Sequence, residues 1–267
     1  TIVGTNKKLY TYAQGKWYDI TPTRSSGNAI TQFETTASSS NVSVTDAAHG
    51  AIEGDFVTIT SATAPTSSSI TDGQLEGEFE IQSVTSTSVY VITSGGTEGG
   101  TGRTGGSATA AYEINTNPAT SILGYGFGAG PWGGVSGGPG WGTSRSTLAA
   151  PNSVQLDSGK WSLDNWGEDA LCQHLNGKLY YWDTSGGLSD PMTNIATNAT
   201  VSNAPTKSRL MLVSGTDRFI ILLGTETTIG DDSTQDDMFI RWCSQDDVNT
   251  WTPTATNTAG SQRLTDG

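Results

Sequence analysis

The chain is poor in the residues from which active sites and metal sites are most often built. Among its 267 residues there are two cysteines, two histidines and three methionines, and only 15% are charged. Cys172 and Cys243 stand apart, neither in a Cys-x-x-Cys pair nor beside a histidine, which leaves no zinc or dithiol redox motif. Their strand-like neighbours favour two buried free thiols over the alternative of a single disulfide. His49 and His174 share no obvious carboxylate or nucleophile, and no Gly-x-Ser-x-Gly elbow occurs, so a Ser/His/Asp triad has no support. His49 precedes Gly50 at a turn, where it reads as a structural hydrogen-bonding residue. No apolar run approaches the ~20 residues of a bilayer-spanning helix.

Basic side chains are scarce as well: 13 Lys and Arg against 26 Asp and Glu give a formal charge of −13. Such a chain repels phosphate at long range, which argues against conventional binding of nucleic acid or anionic membrane. The same acidity suits a wall past which DNA slides, and it serves solubility equally well. Two glycine runs, Gly126-x-Gly128-x-Gly130 and residues 95–106, lack the strand-to-helix unit and the Gly-Lys-Ser/Thr of a phosphate loop. The second reads as a long, mobile hairpin tip.

What is abundant points to β structure. Thr, Val, Ile and aromatic residues recur in short bursts between clusters drawn from Gly (34 in all), Asn, Asp and Ser, the signature of short strands and tight turns. The class is all-β, with one helical turn expected near residues 191–196. Three regions separate by texture. Residues 1–28 carry a hairpin, Lys8-Leu9-Tyr10-Thr11-Tyr12 and Lys16-Trp17-Tyr18-Asp19-Ile20 about a turn at Gln14-Gly15. Residues 29–114, rich in Ser and Thr, predict strands at 41–45, 55–60, 77–84, 88–93 and 108–114, which form a self-contained small β-barrel or sandwich. Residues 115–267 open on a glycine-rich arm (124–142, with Trp132 and Trp141) and continue in strands at 161–166, 170–173, 178–182, 209–213, 219–224 and 238–243. The opening Thr1–Gly4 reads as a strand and residues 263–267 stop without a close, so a segment of a longer polypeptide is expected.

Asn6-Lys7-Lys8-Leu9-Tyr10-Thr11-Tyr12 is echoed by Asn176-Gly177-Lys178-Leu179-Tyr180-Tyr181-Trp182. Ser244-Gln245-Asp246-Asp247-Val248-Asn249-Thr250-Trp251 resembles the Asp-box of sialidase-like propellers, Ser-x-Asp-x-Gly-x-Thr-Trp, with Ser244, Asp246, Thr250 and Trp251 at its structural positions and Val248 in place of glycine. Both features mark propeller blades of four strands and ~40 to 50 residues. Removing the insert leaves enough chain for about four blades, an incomplete ring. Acidic clusters at Asp231, Asp232, Asp236 and Asp237, and at Asp246-Asp247, are the candidates for a Ca²⁺ loop, but their spacing matches no EF-hand, and solvated turn aspartates are the expectation. A glycosidase requires two converging carboxylates, joined by an arginine cluster for sialic acid, for which Arg209, Arg218 and Arg241 are the strand-borne candidates. No catalytic residue, metal or cofactor is expected.

The arm from Gly124-Tyr125-Gly126-Phe127-Gly128 to Trp141-Gly142, the strings Trp161-Ser162-Leu163-Asp164-Asn165-Trp166-Gly167-Glu168 and Lys178-Leu179-Tyr180-Tyr181-Trp182-Asp183, and the stretch from Ile240-Arg241-Trp242 through Trp251-Thr252-Pro253 resemble tail structural proteins of short-tailed phages. That group includes the tail nozzle (tail tubular protein B) and packaged-DNA stabilisation proteins. The resemblance implies a virion protein built on propeller blades and assembled as a ring homo-oligomer, typically a hexamer, below the portal and adaptor. Double-stranded DNA would pass through its lumen without sequence-specific binding, and tail fibres would attach to it. Ala48-His49-Gly50-x-x-x-Gly54-Asp55-x-Val57 and Leu75-Glu76-Gly77-x-Phe79-x-Ile81-x-x-Val84 are similar to the FCCH domain of ubiquitin-activating enzymes, with Glu76 where Asn is usual. That likeness is one of fold and carries no ubiquitin chemistry. Two other functions stay open: a receptor- or glycan-binding propeller whose Trp and Tyr side chains stack on sugars, and a sialidase-like hydrolase.

Overall fold

The computed structural model describes residues 1–5, 7–116, 120–122, 153–155, 161–195 and 204–265. Within them the chain is all-β, with blade-like antiparallel sheets and a separate inserted domain. The arm at 124–142, and Trp132 and Trp141 with it, lies outside the described residues.

The first blade is a three-stranded sheet of β1 (Ile2–Gly4), β2 (Leu9–Ala13) and β3 (Lys16–Asp19). Gln14 and Gly15 close its hairpin with φ of 50° and 80°. Two left-handed residues in a two-residue turn give the type I′ geometry that matches strand twist. Alternation then sends Leu9 and Thr11 to one, buried face and Tyr10 and Tyr12 to the other.

The inserted domain starts at Pro22, ahead of the 28/29 boundary expected from texture, because residues 23–30 ladder with the domain's last strand. It comprises β4 (Thr23–Ile30), β5 (Gln32–Thr35), β6 (Asn41–Thr45), β7 (Phe56–Thr63), the short helix α1 (Asp72–Leu75), β8 (Gly77–Ser86), β9 (Val89–Thr93), β10 (Thr104–Gly105) and β11 (Ser107–Glu113). The eight strands run in the order β10-β5-β6-β9-β8-β7-β11-β4. β8 is shared, pairing with β7 through its first half and with β9 through its second. Between β10 and β11 the chain crosses from one leaf to the other at Gly106, where φ is 81° and a Cβ would lie 2.1 Å from the Thr63 carbonyl oxygen. The bent sheet wraps a core that includes Phe33, Val57, Ile81, Tyr90, Ile92 and Tyr112.

The run at 95–106 is not a free hairpin tip. Glu98 is buried and its carboxylate accepts hydrogen bonds from Thr35 Oγ1 (2.9 Å), Ser68 Oγ (2.7 Å) and the Ser69 amide (3.1 Å). Its backbone bonds Ser38 and Ser39. One inward carboxylate thus pins a segment that composition alone makes look loose.

After the insert, β12 (Thr120–Ile122) pairs with β13 (Ser153–Gln155). Two four-stranded meanders follow: β14 (Trp161–Trp166), β15 (Asp169–His174), β16 (Leu179–Trp182) and β17 (Thr193–Asn194), then β18 (Leu210–Val213), β19 (Ile220–Leu223), β20 (Phe239–Trp242) and β21 (Gly260–Arg263). Of the helical turn expected at 191–196, residues 193 and 194 instead form β17, Ile195 enters a 3₁₀ turn, and residue 196 lies outside the described residues. The Met192 amide donates to Ile20 O at 3.0 Å, and residues 193 and 194 pair with Tyr181 and Tyr180, so the backbone is engaged across the sheet instead of along a helix.

The middle blade is covered on both sides. Ala170 and Cys172 of β15, with Tyr180 and Trp182, pack on Leu9, Ile20 and Ile114 of the first-blade side. Leu171, from the opposite face of the same strand, joins Leu179, Met211, Ile220, Leu222 and Trp251 toward the last blade. Leu171→Ala therefore opens a cavity in the stack and lowers stability by about 2–5 kcal/mol, whereas Leu212→Ser on the outward face of β18 changes it by less than ~0.5 kcal/mol; urea unfolding checks both.

Hydrogen bonds from Ser68 and the Ser69 amide hold the Glu98 carboxyl down at about 2, below its ordinary 4.5. A depressed value stabilises the fold above the unfolded-state pKa and loses that contribution as pH falls from 4.5 toward 2. Acid titration followed by circular dichroism should show a shallower loss in Glu98→Gln than in the wild type across that window.

Candidate functional site

The acidic residues proposed as metal ligands do not converge. Asp231 caps the 3₁₀ turn Asp232–Thr234 by accepting from the Ser233 amide (3.1 Å) and hydroxyl (2.6 Å). Asp236 accepts from the Met238 amide (2.9 Å) and Arg263 Nε (2.7 Å), and Asp237 from Arg209 Nε (2.8 Å). Asp232 is exposed in the turn itself. The two arginines and Asp236 and Asp237 line an open groove with Thr227 and Gln235. The Met238 amide, then Arg263, hold the Asp236 carboxyl below the ordinary aspartate value, the opposite of what a general acid for glycoside cleavage needs.

The three arginines proposed as a cluster likewise have separate partners. Arg209 belongs to that groove. Arg218 pairs with Asp246 (Nε to Oδ1, 3.0 Å) and stacks over Trp166 at 4.7 Å. Arg241 is buried and donates to the carbonyls of Glu226 (3.4 Å) and Thr227 (3.0 Å). The buried Glu226 carboxylate accepts instead from the Thr206 amide and hydroxyl (2.9 Å each) and the Gly230 amide (2.6 Å).

The turn at residues 244–251 is the Asp-box in outline, shifted by one residue in its pin. The Ser244 amide donates to Thr250 O at 2.7 Å, closing the loop, and Trp251 is fully buried with Nε1 donating to Val248 O at 2.8 Å. The pinning carboxylate is Asp247, not Asp246: it accepts from the Asn249 amide (2.8 Å) and Thr250 Oγ1 (2.7 Å). Asp246 takes the left-handed conformation (φ 55°) and turns outward to Arg218. Val248 packs its side chain against the core that holds Trp251, which accounts for an apolar residue at the glycine position.

The histidines and cysteines serve packing. Both ring nitrogens of His49 meet backbone, Nδ1 accepting from the Ala51 amide at 3.0 Å and Nε2 lying 3.1 Å from Ser86 O. His174 stacks edge-on against Trp161. Cys172 and Cys243 are free, buried and in different core clusters, and burial pushes both thiols up.

Among the described residues the acidic side chains that do converge are Asp19, Glu78 and Glu113, whose oxygens lie within 4.8 Å of one another. Lys8 Nζ sits among them, 2.9 Å from Asp19 and 2.8 Å from Glu113, with a short contact to Glu78. It also lies over the Phe56 ring at 4.1 Å. Beside it, Lys7 Nζ binds Glu80 (2.7 Å) and Gly54 O (3.1 Å). Lys8 and Asp19 belong to the first blade and Glu78 and Glu113 to the insert, so this charge cluster joins the two. Nothing local in the sequence marks it.

No protein-family model matches the sequence, and no curated protein matches it. Among solved structures the chain is similar to a phage phi92 endosialidase at 11% identity and a TM-score of 0.28, over 90% of this chain and 44% of that one. The chain thus spans less than half of that neighbour's length, and a score of this size carries no argument about activity.

The turn yields a direct comparison. Asp247→Ala leaves an amide and a hydroxyl unpartnered beside a buried tryptophan and should cost about 1–3 kcal/mol. Asp246→Asn, which breaks an exposed ion pair and keeps a residue tolerant of φ > 0, should cost less than ~1 kcal/mol. Equal losses in urea unfolding would contradict this assignment of the pin.

Proposed function

We propose that the chain is a structural, non-enzymatic component of a phage tail, of the nozzle or hub kind, which assembles as a ring homo-oligomer around a passage for double-stranded DNA. The observation that carries this reading is the contrast between inner and outer faces of the blade stack. Inside, the facing blades bury two largely apolar clusters. At the two ends, faces of the same character are left open: Val3, Tyr12 and Trp17 (57% exposed) on the first blade, and Leu210 and Leu212 (41% exposed) on the last. Register places Ile221, Leu223, Ile240 and Trp242 on the face that carries these two leucines. Two unlike apolar ends on one rigid stack favour head-to-tail contacts, which close into a ring when the rotation allows.

The engagement of the groove carboxylates by arginine and backbone amides supports a role without catalysis. The sixfold order, the contacts with adaptor and portal-proximal proteins, the fibre platform and the virion location follow from the resemblance to short-tailed phage tail proteins. A net charge of −13 keeps phosphate from adhering to a channel wall. A glycan-binding role is favoured by one feature, the exposed Tyr12–Trp17 pair, with ring centroids 5.1 Å apart, since aromatic faces stack on sugar rings.

Light scattering and negative-stain microscopy of the purified chain should show closed rings at micromolar concentration, dispersed by Trp17→Glu or Leu212→Glu. Monomers at every concentration, with no ring in particles, would overturn the assembly reading. Glycan-array signal lost in Trp17→Ala would favour the sugar-binding one.

A further inference from the structure

The junction between the first blade and the insert is built from more negative charge than its one cation neutralises. Lys8 has three N–H donors, and Asp19, Glu78 and Glu113 use all of them. With every carboxylate ionised the cluster carries two uncompensated negative charges, while Lys8 is buried and the Glu113 side chain is only 10% exposed. Glu78 and Asp19 keep contact with water (side chains 42% and 32% exposed), so a proton is retained most readily on the buried Glu113, which has like charges beside it. The other groups facing the cluster do not remove the excess. Lys7 is committed to Glu80 and Gly54. Arg24 donates to the Glu113 backbone carbonyl, not its carboxylate, and otherwise faces Asp55 and the Tyr112 ring. Asp19 spends its second oxygen on the Thr21 amide and hydroxyl. Tyr10 and Phe56 add only a phenol and a ring.

We propose that Lys8, Asp19, Glu78 and Glu113 form a proton-operated latch, which holds the inserted domain on the first blade while Glu113 keeps a proton and loosens when that proton passes to solvent. Lys8 and Asp19 come from the first blade and Glu78 and Glu113 from the insert, so opening the junction parts Glu113 from Lys8 and Asp19 and exposes it to water while Glu78 stays beside it. Burial, and then the hydrogen bond with Glu78, raise the Glu113 carboxyl from 4.5 to about 8 against the opposing pull of Lys8. Burial works against the Lys8 ammonium, yet its bonds to Glu113, Glu78 and Asp19 hold it above the ordinary lysine value, so it stays charged throughout. Burial is the largest cause of the raised Glu113 value and the one that opening removes, so the closed junction binds more protons than the open one below about 8, and opening becomes easier as pH rises toward that value and levels off above it.

Hydrogen exchange of the full chain, corrected for intrinsic rates, tests this at the amides of Thr21 and Ile114, which are bonded at the junction to Asp19 and Pro22. Between about pH 5.5 and about pH 7.5 the wild-type junction should open at least tenfold more readily, one proton giving up to tenfold per pH unit. Glu113→Gln, neutral at every pH, should respond less than about twofold, while amides of β6 and β9 in the insert core stay unchanged in both proteins. Glu78→Gln, which removes the second cause of the raised Glu113 value, should diminish the response without abolishing it and serves if the first variant does not fold. A pH-independent junction in the wild type overturns the latch, and so does an undiminished response in either folded variant. Neither outcome depends on ring formation.

Discussion

A strand that is buried on both faces needs a neighbour on each side, and the arrangement of the blades follows from that requirement. β15 reads Asp-Ala-Leu-Cys-Gln-His and is buried along almost its whole length. Alternate residues leave it in opposite directions, Ala170 and Cys172 one way and Leu171 the other, and each set finds its own core. A single sheet with one wet face cannot satisfy such a strand. Stacked blades can, and the stack necessarily ends in faces that still want cover.

The insert is attached by a different kind of force. Its own core is closed and shares no member with the other two apolar clusters. What meets the first blade is a set of buried or half-buried charges around Lys8. Removing one partner of such a network leaves the others uncompensated, so it fixes orientation more than it adds stability. An apolar joint of the same size would slide; a charged one has a single geometry, and its strength depends on protonation.

How much of this was legible beforehand varies with the range of the interaction. The Trp161–Trp166 strand, the Gln14-Gly15 turn and the 41–45 strand follow from residues within a few positions of each other. β4 was missed because Ser-Ser-Gly-Asn does not look like a strand; its partner β11 makes it one, and strand preference is set by the neighbour as much as by the residue. The loop at 95–106 looked mobile because its glycines are visible and the three donors that fix Glu98 are distant. Lys8 and Glu113 are 105 positions apart, and neither carries a local signal. The Asp-box pattern aligns Asp246 with its acidic position, but the pinning carboxylate lies one residue further on, because Asp246 takes the left-handed conformation and turns outward to Arg218.

The acidity of the chain has a structural source that precedes any function. Short strands joined by many loops leave numerous backbone amides without a ladder partner, and each needs an acceptor. A carboxylate is acceptor-only, whereas lysine and arginine are donor-only and cannot fill that role. Asp46 accepts from the Ala48 amide, Asp72 from Ala64, Glu76 from Ala62, Asp164 from Val213, Asp169 from Thr184 and Asp183 from Ser185. Glu98, Glu226, Asp231, Asp236 and Asp247 do the same in their loops. An all-β chain organised this way becomes acidic by folding logic alone. Net charge is therefore compatible with a DNA channel without being a signature of one, and the burden of the functional reading rests on the open blade faces.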